Sequence, residues 1–325
     1  MADQKLSVAH VILNYLTWSG AFLHRVVDGL SEHVDEVVLA ENIQNTDIFP
    51  PPSLERVPSD ALYSPTVALS YAQKLQKAYA VDVIHAHMGY AGVRSLLLKY
   101  CMGVPMVVTF GGAGLATEAT RQHTLPVYRW LFSAAEALVA VSDNLRRRAI
   151  HLGCKPEKIT VVHRGVDLDE FAFHDRSGDC QATPVRIMMA GRLVPRKGHE
   201  DALKACAMLD RERCPFRLEV AGTGPLEEPL LSMTESLGLS DVVSFLGALT
   251  PEDLRVRLNT ADIFLHPAYT LERGDTEGIP NAVIEAQATG LPAITTANGG
   301  LPELITHEKN GLLVPERDIG RLSAG

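Results

Sequence analysis

Aromatic residues supply only 6% of this 325-residue sequence, and no apolar run is long enough to span a bilayer. Any membrane contact is therefore expected to be peripheral. Cysteine is equally sparse: Cys101, Cys154, Cys180, Cys206 and Cys214 form no CxxC pair and have no histidine at ligand spacing. That argues against a structural zinc or a disulfide framework and for reduced, mostly buried thiols. Positive charge is short too, with 30 Lys+Arg against 39 Asp+Glu and a net charge of -9, so no basic field exists to hold a nucleic-acid backbone. Nucleic acid is not an expected partner. The start, Met1 to Lys5, runs straight into an apolar pattern at Val8 to Leu13 without a basic stretch, a long apolar core or a small-residue cleavage site. No secretory signal is expected, and the location implied is cytoplasmic.

What is present is a regular alternation. Short β-branched runs are separated by longer segments of helical spacing, the pattern of parallel sheets flanked by helices, and the length exceeds what one core serves. The reading is α/β with two Rossmann-like lobes. Strands are expected at Ala9–Asn14, Glu36–Ala40, Asp82–Ala86, Met106–Phe110, Ala137–Val141 and Ile159–Val162. A second set is expected at Arg186–Ala190, Arg217–Ala221, Val242–Leu246, Ile263–His266, Ala293–Thr295 and Leu312–Val314. Between the sets lies a polar stretch read as a linker, giving domains at 1–168 and 185–325 joined by 169–184. The Pro-rich stretch Glu41 to Pro58 reads as a surface loop. Thr250-Pro251-Glu252-Asp253 carries the signals of a helix start, and Pro280 opens a helix that Gly290 and Pro292 close. Glu285 then sits mid-helix and Glu277 in the loop before it.

Those two carboxylates are the first candidates for chemistry. An ionised carboxylate accepts from two neighbouring hydroxyls at once, which suits a ribose diol or a sugar ring, and free amides over Gly278, Ile279, Pro280 and Asn281 suit further oxygens. Taken alone, two acids eight positions apart describe a solvated helix end equally well. The surroundings are more specific: Glu277-Gly278-Ile279-Pro280-Asn281, Glu285-Ala286-Gln287-Ala288-Thr289-Gly290, Gly299-Gly300-Leu301-Pro302-Glu303 and Asn310-Gly311-Leu312. With Gly191-Arg192-Leu193 leading to Lys197-Gly198, Gly222-Thr223-Gly224-Pro225 and Asp262-Ile263-Phe264, the sequence resembles retaining glycosyltransferase family 4, of GT-B fold. The resemblance covers nearly the whole chain and is strongest from Gly191 to Val314.

The resemblance implies that Arg192 and Lys197 grip a donor diphosphate, that Glu277 accepts from the transferred sugar and that Glu285 accepts from the ribose. Fixed cations stabilise a departing nucleoside diphosphate, and no Asp-x-Asp motif stands at a plausible strand end, so metal independence is expected. The turn Gly299, Gly300, Leu301 would offer amides to the diphosphate, and Gly222 and Gly224 would let backbone approach the nucleotide or simply form a tight turn. In the first half the acceptor-side candidates are Ser19 and Gly20, which read equally as a capping turn, His87, for which a hydrogen-bonded structural role is the stronger reading on sequence, Gly111, and Arg164, which reaches the cleft or supports the linker. His85 and His87 are read as pointing to opposite faces of their strand, unable to share a metal. Gly111 stands where the family commonly has a histidine that contacts the donor sugar. A final helix crossing back to the first lobe is expected to be missing, the sequence ending at Gly325.

The expected activity is therefore a metal-independent transferase of hexosyltransferase type, using a UDP- or GDP-sugar and no other cofactor. The acceptor class is a glycan or a lipid-linked molecule. Arg146-Arg147-Arg148 leaves room for peripheral contact with the inner face of a membrane, although three bases on a helix ordinarily face water. Two alternatives stand beside this: an epimerase or hydrolase of the same fold, and a catalytically silent nucleotide-sugar-binding subunit.

Overall fold

A computed structural model describes residues 5–16, 20–49, 53–112, 115, 124–176, 184–211 and 214–325. The chain divides into two compact units, Met1–His163 and Arg164–Gly325. In the first, strands β1 (Leu6–Val11), β3 (Val34–Ala40), β5 (Leu54–Arg56), β6 (Val83–His87), β7 (Met106–Phe110), β8 (Ala137–Ala140) and β9 (Ile159–Val161) form one sheet. Its order is β5-β3-β1-β6-β7-β8-β9, with every pairing parallel. Two short strands, β2 (Asn14–Tyr15) and β4 (Asn42–Ile43), pair separately. The Pro-rich stretch read as loop thus contains both β4 and the edge strand β5; a three-residue edge strand carries too few residues to show a period.

The second unit has a six-stranded parallel sheet: β10 (Val185–Ala190), β11 (Phe216–Ala221), β12 (Val243–Gly247), β13 (Ile263–His266), β14 (Ala293–Thr296) and β15 (Gly311–Val314). The order β12-β11-β10-β13-β14-β15 reverses direction at the β10/β13 pair. In such sheets, ligands bind outside the carboxyl ends of the strands at that reversal. The strands are mostly apolar because both faces are covered: Ile187, Met189 and Leu218 pack into one core, Met188, Ala190 and Phe264 into the other.

The segment read as a linker begins inside this second unit. Phe171 is fully buried in the core with Met188 and Phe264, and the Arg176 guanidinium donates to the carbonyls of Ala261 and Leu258 at 2.6 and 2.8 Å. Residues 177–183 of that stretch lie outside the described residues.

Local signals act as the sequence suggests. Thr250 caps the helix Pro251–Thr260, its hydroxyl accepting from the Asp253 amide at 3.1 Å. Thr250→Ala is expected to cost about 1 kcal/mol of second-unit stability, measurable by urea denaturation. The helix Asn281–Ala288 starts after Pro280 as its N-cap and keeps Glu285 buried near its middle.

One expectation fails on geometry. His85 and His87 are two residues apart, and a strand's side chains repeat every second residue, so both lie on one face. Their rings are 4.1 Å apart, centroid to centroid.

Candidate functional site

The loops leaving β10 and β13 meet at the reversal of the second sheet. Lys197, in the short helical turn Pro195–Lys197 after β10, lies 3.1 Å from Glu277 Oε1, and Arg196 Nε donates to the same oxygen at 2.9 Å. Asp275 stands 3.8 Å from Arg196. Asn298 fixes the loop by accepting from the Glu277 amide at 3.0 Å while donating to Glu316 at 2.7 Å. Arg164 reaches the same segment, donating to Asn281 Oδ1 at 3.1 Å.

The electrostatics are unusual for a surface loop. Glu277 is only 5% exposed, and burial alone would raise its pKa, but Lys197 and Arg196 outweigh this and hold it well below the carboxylate range. Burial pulls Lys197 down from an ordinary lysine, Glu277 opposing. Burial also pulls Arg164 down to about 10, again against Glu277. For Arg196 the same burial is overcome by Glu277 and Asp275, and its pKa rises. Three largely buried cations thus surround one carboxylate, with Asp275 beside Arg196.

Several polar atoms here lack partners among the described residues: Asp275 Oδ1, Thr276 Oγ1, His199 Nδ1 and His266 Nε2 are buried without a hydrogen bond. Nearly all buried polar atoms in proteins are paired, so orphans in the β13 loop, at the end of β13 and at the start of the helix His199–Arg211 point to a ligand. The amides of Gly278 and Ile279 also donate to no acceptor among the described residues.

Other expected positions come out differently. Arg192 is exposed, and its side chain has no partner among the described residues; Arg196, four residues on, takes the place beside Glu277. The amides of Gly300 and Leu301 are committed to Gly278 O and Asn298 O, each at 3.0 Å, leaving Gly299 as that turn's uncommitted donor. Gly299 has φ +54°, and a Cβ there would lie 2.0 Å from Glu277 O, so glycine is required for the two loops to touch. Gly222 is demanded in the same way: a Cβ would sit 1.9 Å from Gly191 O, and Gly224 packs on Leu193 O. The close approach at both glycines is to the chain's own backbone.

The first-unit candidates remain in the first unit. Gly20 precedes the helix Ala21–Asp28, Gly111 follows β7, and His87 is buried against His10. Ser19 lies outside the described residues.

Burial holds the His199 imidazole down to about 4 and that of His266 to about 3, with Lys197 adding to both. An unfolded chain protonates its histidines near 6.5 and therefore binds more protons than the folded one below that pH. The stability these groups contribute is present above pH 6.5 and is lost as the pH falls toward the folded values. Denaturation midpoints should decline from pH 7 to pH 5, less steeply in His266→Gln; a flat profile would contradict neutral burial.

Comparison with known proteins identifies the family. The family model described as Glycosyltransferase Family 4 matches residues 11–170, and that described as Glycosyl transferases group 1 matches residues 172–325. The chain belongs to the family 4 glycosyltransferases. Among relatives of this family 4 chain, the putative colanic acid biosynthesis glycosyltransferase WcaL of Salmonella typhimurium is 35% identical over 77% of the chain and 62% of its own length. The amylovoran biosynthesis glycosyltransferase AmsK of Erwinia amylovora is 35% identical over 77% and 61%. The chain thus spans about three-fifths of the length of these curated relatives. In structure it is similar to HepE of Anabaena in complex with UDP-glucose, with a TM-score of 0.81 at 20% identity, covering 98% of this chain and 88% of that one. The fold is the two-domain GT-B fold.

Proposed function

We propose that the chain transfers a hexosyl group from a nucleoside diphosphate sugar, UDP- or GDP-linked, to a glycan or lipid-linked acceptor, with retention at the anomeric carbon. One observation carries the reading. At the strand-order reversal, Lys197, Arg196 and Arg164 outnumber Glu277 and Asp275 in a largely buried site, and a diphosphate supplies the missing negative charge. The UDP-glucose named with HepE and the polysaccharide pathways named with WcaL and AmsK support the same donor and acceptor classes.

In this reading Lys197 and Arg196 hold the diphosphate, Arg192 closes on it from solvent, and the amides of Gly278, Ile279 and Gly299 bind further oxygens. Glu277 accepts from hydroxyls of the transferred sugar, and Glu285 from the ribose. The chain's own cations neutralise the leaving group, so the diphosphate needs no metal. A carboxylate held between two cations is a poor nucleophile, which favours front-side displacement. The bond from C1 to the diphosphate oxygen breaks, the acceptor oxygen bonds C1 on the same face, and its proton passes to the departing diphosphate.

The test is to incubate the protein with UDP- and GDP-sugars and acceptor glycans, measure nucleotide release and determine the product's anomeric configuration by NMR. Release with retention, lost in Glu277→Ala, is expected. Inversion would overturn the stereochemistry, and nucleotide binding without turnover across acceptors would favour a silent binding subunit.

A further inference from the structure

Three histidines outside this site share one face of the first sheet. His10 on β1 is in register with His85 on β6, and His87 follows two residues later on the same strand. One ring nitrogen from each lies within 4.8 Å of the other two. One pair, His10 Nδ1 and His87 Nε2, is 3.0 Å apart. Two nitrogens bound at 2.0–2.1 Å to a tetrahedral zinc stand about 3.4 Å apart, so this pair needs only a small opening and the third ring only a modest approach.

The surroundings match what an imidazole ligand set requires. A metal-bound histidine ordinarily has its second ring nitrogen held by a carboxylate or another polar group, which fixes tautomer and orientation. His10 Nε2 lies 3.1 Å from Glu36 Oε1, and His85 Nε2 lies 2.8 Å from Thr109 Oγ1. The Glu36 side chain is 1% exposed, its other oxygen is buried without a hydrogen bond, and its sole ion-pair partner among the described residues is the His10 imidazole. A buried carboxylate without a cation is costly, and a dication one imidazole away would compensate it.

We propose that His10, His85 and His87 form a site for a divalent transition-metal ion of the zinc class, with Glu36 orienting His10. Imidazole suits such ions, whereas calcium and magnesium prefer oxygen ligands. His10 and His87 are buried and His85 is partly exposed, so the ion enters, and keeps its exchangeable ligand, on the side of His85. Bound there, it ties the central strands β1 and β6 together. The competing account is a metal-free chain of hydrogen bonds from Glu36 through His10 to His87. The site belongs to the first unit and the diphosphate-binding groups to the second, so it is independent of the donor reading.

The test uses tag-free full chain stripped with chelator and titrated with Co²⁺ as a visible probe. One equivalent is expected to bind with the intense ligand-field absorption of a low-coordinate nitrogen site, displaced by Zn²⁺. His85→Gln, at the partly exposed position, should weaken binding at least tenfold. Glu36→Gln should weaken it by about 10–100-fold. Circular dichroism confirms that each variant is folded. Absence of saturable Co²⁺ and Zn²⁺ binding by the parent chain would overturn the site, as would unchanged affinity in folded His85→Gln and Glu36→Gln; either result leaves the hydrogen-bonded chain as the account.

Discussion

Lys197→Ala is expected to lower kcat for sugar transfer by about a hundred- to a thousandfold, the loss seen when one preorganised donor to a developing charge is removed. That corresponds to roughly 3–4 kcal/mol of transition-state stabilisation. Two consequences of the geometry sharpen it. Lys197 shares Glu277 Oε1 with Arg196, so its removal leaves the carboxylate ion-paired at 2.9 Å, and the fold should suffer less than the chemistry. Lysine is also a compact point charge in a tight space, and Lys197→Arg brings a wide planar fork that should not restore activity. Nucleotide release under saturating donor measures both variants. A kcat within threefold of the parent enzyme for Lys197→Ala would remove this residue from the diphosphate site.

Glu277→Ala has the larger expected effect on stability. It leaves Lys197, Arg196 and Arg164 largely buried without their carboxylate, and breaking a buried pair from one side costs about 3–5 kcal/mol. For a unit of this size each kcal/mol lowers the melting temperature by about 2–4 °C, so a drop of roughly 6–20 °C is expected. A nucleoside diphosphate that binds only the folded state raises apparent stability by mass action. UDP or GDP should therefore recover part of the loss. Differential scanning calorimetry with and without nucleotide reads both quantities. A variant that melts with the parent protein would mean that Glu277 does not balance these cations.

The fold was readable because parallel strands covered on both faces carry continuous apolar runs, as Ile187 to Ala190 do in β10. Their ends were less clear. Ile12 and Leu13 continue the apolar run of β1, which itself stops at Val11, because they stay buried through an irregular turn in which the Ile12 amide donates to Leu39 O. Apolar character reports burial, and burial outlasts the strand.

Lys197 and Glu277, singled out in the sequence by residue type and chemistry, are brought together by the structure. Arg196 was missed because no spacing rule shows that the turn Pro195–Lys197 aims two adjacent bases at the same Glu277 oxygen. The amides of Gly300 and Leu301 were misjudged because a glycine turn shows freedom of backbone and says nothing of which carbonyl lies opposite. The histidine cluster was hidden by a misapplied period: residues i and i+2 share a face. Its third member, His10, joins through sheet register, which no local pattern carries.

The most direct measurement is a crystal structure of the protein soaked with a UDP- or GDP-sugar. The account predicts the diphosphate against Lys197 and Arg196 beside the Gly278 and Gly299 amides, with a sugar hydroxyl donating to Glu277. A nucleotide bound elsewhere, or a diphosphate that leaves Lys197 and Arg196 untouched, would contradict it.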